Sequence, residues 1–356
     1  MLRNVETLGE LCLAGAEHYK SRKVLELSRG DRLLETVNFR TLAQRSLQLA
    51  GLFHSLGLER GSRIMILAEN RPQWPMAVFG AALAGMVSLP AVPRPPAGRE
   101  AGEYFRELGR EAGVKALCVT EGTEGLAAGV DSGLPRIYLD SPGPYWTGIR
   151  AAMGGLSKWL PLARPALPKT GGLPQEGGDA VLWPDGTRDS HRELLSLADQ
   201  GLRLFPRDRL ISVSPLAEKG AFVLAVLALV SGGASLSLTL PETEHPETEQ
   251  METSDGSGDL SAESLLRAVE LLRPTVLIGD GSFLEAVYRG EAAPIAEGPL
   301  GRNLFTRPAA LRLGGRRFIK ALGGNLRYFG VTGPALRAEL EKVLRGVHLP
   351  REQISG

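Results

Sequence analysis

Asp179–Leu195 reads DAVLWPDGTRDSHRELL, and the fold follows from how this stretch divides. Ala180, Val181, Leu182 and Trp183 form a short apolar run that predicts a buried strand. Pro184 to Arg188 is a tight polar loop, and a helix is expected to begin near Ser190. A strand that runs through a glycine-containing loop into a helix N-terminus suits phosphate, because unpaired backbone N–H groups and the positive end of the helix dipole converge on one point. The loop's chemistry opposes that use: it has one glycine, Gly186, no lysine, and a carboxylate, Asp185, where an anion would sit. Gly186 and Thr187 equally fit a plain turn. Ser190 and Glu193 have the spacing of a capping box, so helix-start chemistry alone accounts for the surroundings of His191.

Upstream, Asn38 to Ala50 places Leu42 and Leu49 on one helical face, and the helix continues through Leu56 to a stop at Gly57. Short apolar runs at Arg63–Ala68 and Met86–Leu89 flank a helix, Pro75–Ala84, that ends at Gly85. Tyr104–Glu111 and Ala116–Val119 repeat the helix–strand theme, and Arg136–Leu139 adds a strand. This alternation predicts an α/β fold of layered subdomains with mostly parallel sheets. Downstream, Arg209–Ser214, Pro274–Gly279 and Asn325–Gly330 read as strands. Ala262–Leu272, Ser282–Tyr288 and Ala335–Leu344 read as helices.

The chain has 356 residues, enough for two or three subdomains, and 41 basic against 40 acidic side chains, a balance that argues against a nucleic-acid partner. Its two cysteines, Cys12 and Cys118, have no metal or redox spacing and are expected to be packed, reduced thiols of a cytoplasmic protein. The N-terminus carries Glu6 and Glu10 and lacks a long apolar core, so no signal or transit peptide is expected. Gly220–Leu240 has no charged residue, yet Ser231-Gly232-Gly233 interrupts it and alternation follows, which predicts a buried helix and a half-buried strand rather than a transmembrane span. Ser141–Gly178 is rich in Pro and Gly and reads as an irregular connection with Trp146 and Trp159 as anchors. Residues 241–261 are acidic, with few apolar groups, and are expected to form a mobile surface insertion. His245 within them has no companions at metal-ligand spacing. Arg302–Lys320 collects six cations, and a solvated helix face is the expected role, with a contact to acidic lipid, peripheral to a membrane, or to nucleotide phosphates as the alternative. The domains are therefore drawn as 1–140, the connection 141–178, and 179–356 with the insertion 241–261. Neither a G-x-S-x-G elbow nor a G-x-G-x-x-G fingerprint occurs.

In order, these landmarks resemble the N-terminal part of AMP-forming acyl-CoA synthetases, the long-chain fatty acid–CoA ligases in particular, within the adenylate-forming superfamily. The resemblance is carried by Asn38–Pro90, with its Gly61-Ser62-Arg63-Ile64 turn and Asn70-Arg71-Pro72-Gln73-Trp74 segment. It continues in Leu210–Leu216 (LISVSPL), Gly232–Leu236 (GGASL), Leu272–Ile278 (LRPTVLI) and Leu322–Leu336 (LGGNLRYFGVTGPAL). It implies activation of a carboxylic acid by ATP and transfer to coenzyme A, with ATP, Mg and coenzyme A as cofactors and a fatty acyl group as ligand.

The departures from the family pattern bear on activity. The family's phosphate loop runs Tyr/Phe-Thr-Ser-Gly-Thr-Thr-Gly-x-Pro-Lys-Gly, with a Thr-His pair soon after. Here Trp183 falls at the aromatic position, Pro184-Asp185 at Thr-Ser, Gly186-Thr187 at Gly-Thr and Ser190-His191 at Thr-His, while the second glycine and Pro-Lys-Gly are missing. Two like unit charges about 4 Å apart near a surface repel by roughly 4 kcal/mol, so Asp185 alone would weaken triphosphate binding about a thousandfold. Glu218 stands where the family has a histidine, and the adenine turn persists only as Thr332-Gly333-Pro334-Ala335-Leu336. The resemblance also implies that the Tyr-Gly-x-Thr-Glu motif and the lysine-bearing C-terminal domain are missing. By this reading the chain is a degenerate homologue, catalytically inactive alone, with Gly186, Thr187, His191 and Gly333 as remnants of a nucleotide site, no catalytic residue and no metal site. The alternatives are a ligase subunit completed by another polypeptide and a non-catalytic acyl- or partner-binding protein. An exposed sheet edge after Val331, needing a partner to cover it, is a further expectation.

Overall fold

The computed structural model describes residues 5–29, 32–141, 148–153, 156–162, 178–200, 204–230, 234–240, 262–332, 336–349 and 351–354. The acidic segment 241–261, Gly333 and Trp146 lie outside these residues. Contacts divide the chain into two compact units. The first comprises Met1–Leu25, Thr36–Pro206 and Pro215–Gly233; the second comprises Glu26–Glu35, Arg207–Ser214 and Ala234–Gly356.

The first unit opens with helix α1 (Leu8–Tyr19), then α2 (Phe39–Ser55), β3 (Arg63–Leu67), α3 (Gln73–Leu83), β4 (Val87–Ala91), α4 (Ala101–Glu111) and β5 (Val114–Val119). It continues through α5 (Glu124–Ala127), β6 (Arg136–Tyr138), β7 (Gly148–Met153), β8 (Leu156–Pro161), β9 (Asp179–Leu182), β10 (Arg188–Ser190), α6 (His191–Gln200) and α7 (Lys219–Val230). Its sheet runs β10-β9-β4-β3-β5-β6-β7-β8. Pairing is parallel from β9 through β6 and antiparallel at both ends. Central strands buried on both faces must be apolar throughout, and Ile64, Met65, Ile66 and Leu67 are fully buried. Asn38 caps α2 by accepting from Thr41 N at 2.8 Å, and Gly57, left-handed at φ 76°, follows its end. Helix α3 is apolar nearly all round, and its Gly80 lets α2 approach: a Cβ there would lie 3.0 Å from Leu49 Cβ and from the Ser46 carbonyl oxygen.

Within the stretch read as an irregular connection, β7 and β8 form an antiparallel pair beside β6, with Ile149 and Ala151 buried. Their flanking prolines and glycines mask so short a pattern. Trp159 is 60% exposed and so does not act as an anchor.

The second unit's sheet is ordered β15-β14-β13-β11-β12-β1-β2. The strands are β1 (Lys23–Arg29), β2 (Arg32–Asn38), β11 (Arg209–Ser212), β12 (Ser235–Leu240), β13 (Val276–Asp280), β14 (Tyr328–Thr332) and β15 (Arg351–Ile354). Its helices are α8 (Ala262–Leu272), α9 (Gly281–Val287), α10 (Ala293–Ala296), α11 (Pro299–Arg302), α12 (Arg307–Ala321) and α13 (Ala338–Gly346). Leu277, Phe283, Phe318, Phe329, Leu340 and Leu344 share its core. The uncharged segment does resolve into a helix, α7, and a strand, β12. No helix among the described residues is long and apolar enough to cross a membrane. The edge expected after Val331 is displaced: β15 pairs in parallel with Phe329–Thr332 and is itself the end strand of the sheet among the described residues.

The amino ends of β11, β13 and β14 are clipped by one carboxylate. Asp208, buried at the start of β11, accepts from Thr275 Oγ1 at 2.8 Å and from Arg327 Nε at 2.7 Å, and also pairs with Arg327 Nη2. Removing one member of such a pair strands the other. Asp208→Asn is expected to lower unfolding stability by about 2–3 kcal/mol in urea denaturation, less than for a fully buried pair because Arg327 is partly exposed.

Candidate functional site

The loop expected to lead into a helix is instead the tip of a β-hairpin. Arg188, Asp189 and Ser190 pair antiparallel with β9, so the order is strand, turn, strand, helix. Pro184-Asp185-Gly186 dictates the turn: proline pre-sets its φ, and Gly186 takes a left-handed conformation at φ 86° without steric cost. Trp183 N donates to the Thr187 carbonyl at 2.8 Å, and Gly186 N to the Trp183 carbonyl at 2.9 Å. Asp185 Oδ1 accepts from Thr187 N at 2.9 Å and from Thr187 Oγ1 at 2.7 Å. The Thr187 hydroxyl and amide, the Asp185 amide and the charge of Lys219 together hold the Asp185 carboxyl below the usual carboxylate range. Pro184 has no N–H. The amides of Trp183, Gly186 and Thr187 therefore have partners inside the turn.

Beneath the turn lies Asp189, the one inward-facing residue of β10 and only 7% exposed. Its Oδ2 accepts from Trp183 Nε1 at 2.6 Å, and Lys219 Nζ approaches its two oxygens at 2.9 and 3.1 Å. Lys219 opens α7, which also supplies Phe222, set edge-on to both Trp183 and Trp74 at 5.9 Å. Asn70, from the Asn-Arg-Pro-x-Trp segment, accepts from Leu216 N at 2.8 Å. The turn is thus tied into the unit by an aromatic cluster and a buried ion pair.

His191 sits at the other end of β10, roughly 13 Å of extended chain from Thr187. Its Nδ1 accepts from Leu8 N at 3.3 Å, satisfying a first-turn amide of α1 that the helix itself leaves unpaired. Burial pushes the imidazole below its ordinary value, against the pull of Glu10. The capping box forms as the spacing predicts: Ser190 N donates to Glu193 Oε2 at 2.7 Å, and Glu193 N to Ser190 Oγ at 3.3 Å. Gly186 and Thr187 therefore share the turn, His191 serves a helix cap elsewhere, and Gly333 lies outside the described residues.

A second polar group gathers at the carboxyl ends of β3, β5 and β6, beside the point where connections leave the sheet in opposite directions, a common ligand position in α/β folds. Thr120 Oγ1 donates to Glu69 at 2.8 Å, Glu121 N to Asp140 at 2.8 Å, and Arg71 lies 4.0 Å from Glu69 and 3.9 Å from Asp140. Arg71 Nε and Asp140 Oδ1 in this group are buried without a hydrogen-bond partner. Sequence reading missed them because they are scattered one or two at a time over 70 positions. Among the described residues no group of three or more His, Cys, Asp or Glu is placed to hold a metal. Cys12 and Cys118 are buried and unpaired, their thiols pushed up to about 12 by burial.

Residues 14–140 match the family model described as AMP-binding enzyme. Over those residues the chain is similar to AMP-binding enzymes. Pyochelin synthetase PchE of Pseudomonas aeruginosa UCBPP-PA14 is 31% identical over 208 residues, 57% of this chain; the aligned part spans only 12% of that protein. Among solved structures, the N-terminal domain of FACL13 from Mycobacterium tuberculosis aligns over 98% of this chain and 75% of its own, with TM-score 0.63 and 14% identity. A benzoate CoA ligase from Burkholderia xenovorans LB400 aligns over 98% of this chain and 60% of its own, with TM-score 0.65 and 14% identity. At such identities the likeness to solved structures is one of fold.

Two outcomes follow from the site's geometry. Lys219→Met, which leaves Asp189 charged and buried, is expected to cost about 3 kcal/mol in urea denaturation, with part recovered when Asp189→Asn is added. Because the folded protein holds His191 below its ordinary value near 6.5, its contribution to stability is present above that value and is lost as the pH falls through the lowered one. His191→Gln, which keeps an acceptor and does not titrate, is expected to flatten the fall in thermal midpoint that wild type shows on acidification below about pH 6.5.

Proposed function

We propose that the chain is a homologue of AMP-forming acyl-CoA synthetases, of the long-chain fatty acid–CoA ligase kind, in which a closed turn replaces the phosphate loop. These 356 residues then do not form an acyl-adenylate by themselves. The observation that carries this reading is the turn Trp183–Thr187, whose Trp183, Gly186 and Thr187 amides are committed internally and whose outward carboxylate, Asp185, is held below the usual carboxylate range. A triphosphate needs free N–H donors and positive charge, and those groups do not fit it. Lys219, the cation that reaches the turn, is neutralised by Asp189. Gly186 and Thr187 are then remnants of a nucleotide site, as is Gly333 by its place in the motif, and His191 has become a structural cap. With adenylation lost, what remains to the fold is binding, of a fatty acyl chain or a partner protein. Two buried, unpaired thiols accord with a reducing, cytoplasmic setting.

A working ligase completed by another polypeptide is the competing reading, favoured by the family match over residues 14–140. A pyrophosphate-release assay with MgATP and palmitate on the chain alone tests the proposal. Release at background is expected; turnover above background that Thr187→Ala abolishes would overturn the proposal.

A further inference from the structure

In the second unit, α11 and α12 meet in a turn that points large apolar side chains at solvent. Phe305 is 96% exposed, Leu304 79%, Leu300 56% and, within α12, Leu313 50%. Isolated apolar side chains at a surface need no explanation, but four gathered on one turn and the helix it feeds do. The turn is built rather than loose. Phe305 N donates to Asn303 Oδ1 at 2.9 Å, Arg307 N to the Asn303 carbonyl at 2.9 Å, and Thr306 Oγ1 to the Leu300 carbonyl at 2.6 Å. Leu304 and Phe305 therefore project from a fixed backbone.

The charge around them has one sign. From Gly298 to Gly324 the chain has no Asp or Glu, against Arg302, Arg307, Arg312, Arg316, Arg317 and Lys320. Helix α12 packs inward with Ala310, Gly314, Gly315 and Phe318, so its outer face shows Arg312, Leu313, Arg316 and Lys320. Glu297, just before α11, accepts from Tyr288 Oη at 2.7 Å. Apolar wedges flanked by arginines complement an anionic lipid surface: the wedges enter the headgroup boundary while the guanidinium groups stay at phosphate level.

We propose that the α11–α12 turn, with the outer face of α12, docks the protein onto anionic bilayers, Phe305 and Leu304 entering first. The proposal does not depend on whether the chain activates acyl groups. A protein partner with an apolar pocket, or a second copy of the chain, would satisfy the wedges but would not call for an unbroken run of cations.

The test is co-flotation of the full chain with vesicles of phosphatidylcholine alone and of phosphatidylcholine with about 30% phosphatidylglycerol. Retention is expected on the anionic vesicles only, falling sharply in about 0.5 M salt. Arg312→Glu with Arg316→Glu should weaken it by about thirtyfold or more, and Leu304→Ser with Phe305→Ser by about tenfold or more. Since these side chains are exposed, thermal midpoints should stay within about 2 °C of wild type. Equal retention on both vesicle types, no retention at low salt, or binding unchanged in either folded variant would overturn the proposal. So would concentration-dependent self-association that Leu304→Ser with Phe305→Ser abolishes while flotation is unaffected, since the wedge would then be an interface between copies.

Discussion

A carboxylate buried to the extent of Asp189 must be compensated, and the need to compensate it organises the candidate site. Its two partners come from different places, Trp183 from the start of the turn and Lys219 from the start of α7. An unpaired buried charge costs several kcal/mol, so the hairpin and α7 are held together wherever the unit is folded. The aromatic cluster of Trp74, Trp183 and Phe222 packs beside that pair and reinforces it. Opening the turn would mean disturbing all of these at once.

The same constraint bears on function. A loop that cradles phosphate has to keep its amides unpaired until the ligand arrives, which requires glycines and a backbone not closed on itself. Pro184-Asp185-Gly186 gives the opposite: a short turn that satisfies its own donors and shows solvent a carboxylate. The fold shared with the N-terminal domains of adenylate-forming enzymes does not depend on this turn, because β9, β4 and β3 hold their register through backbone pairing and apolar burial that do not involve the loop. The α11–α12 turn of the second unit illustrates the same independence, its backbone held by Asn303 and Thr306.

Much of this architecture was legible in local pattern. Arg63–Leu67 and Val114–Val119 are compact apolar runs, Asn38 and Gly57 bracket α2, and the Ser190–Glu193 capping box lies within four residues. What escaped was non-local. The strand β10 is three polar residues whose inward member is an aspartate, so it carries no apolar alternation, and its lysine partner lies 30 positions away. The link from His191 to Leu8 spans 183 positions and has no local signature. The β7–β8 pair was hidden by flanking prolines and glycines, and β15 by being only four residues long.

The central claim is that the turn's donors are already spent. Its most direct measurement follows the backbone amide resonances of Gly186 and Thr187 while MgATP is raised into the millimolar range. Both should stay where they are in the free protein; saturable movement of the two together, with a midpoint in the micromolar range, would show that the turn opens to receive phosphate and would contradict the account.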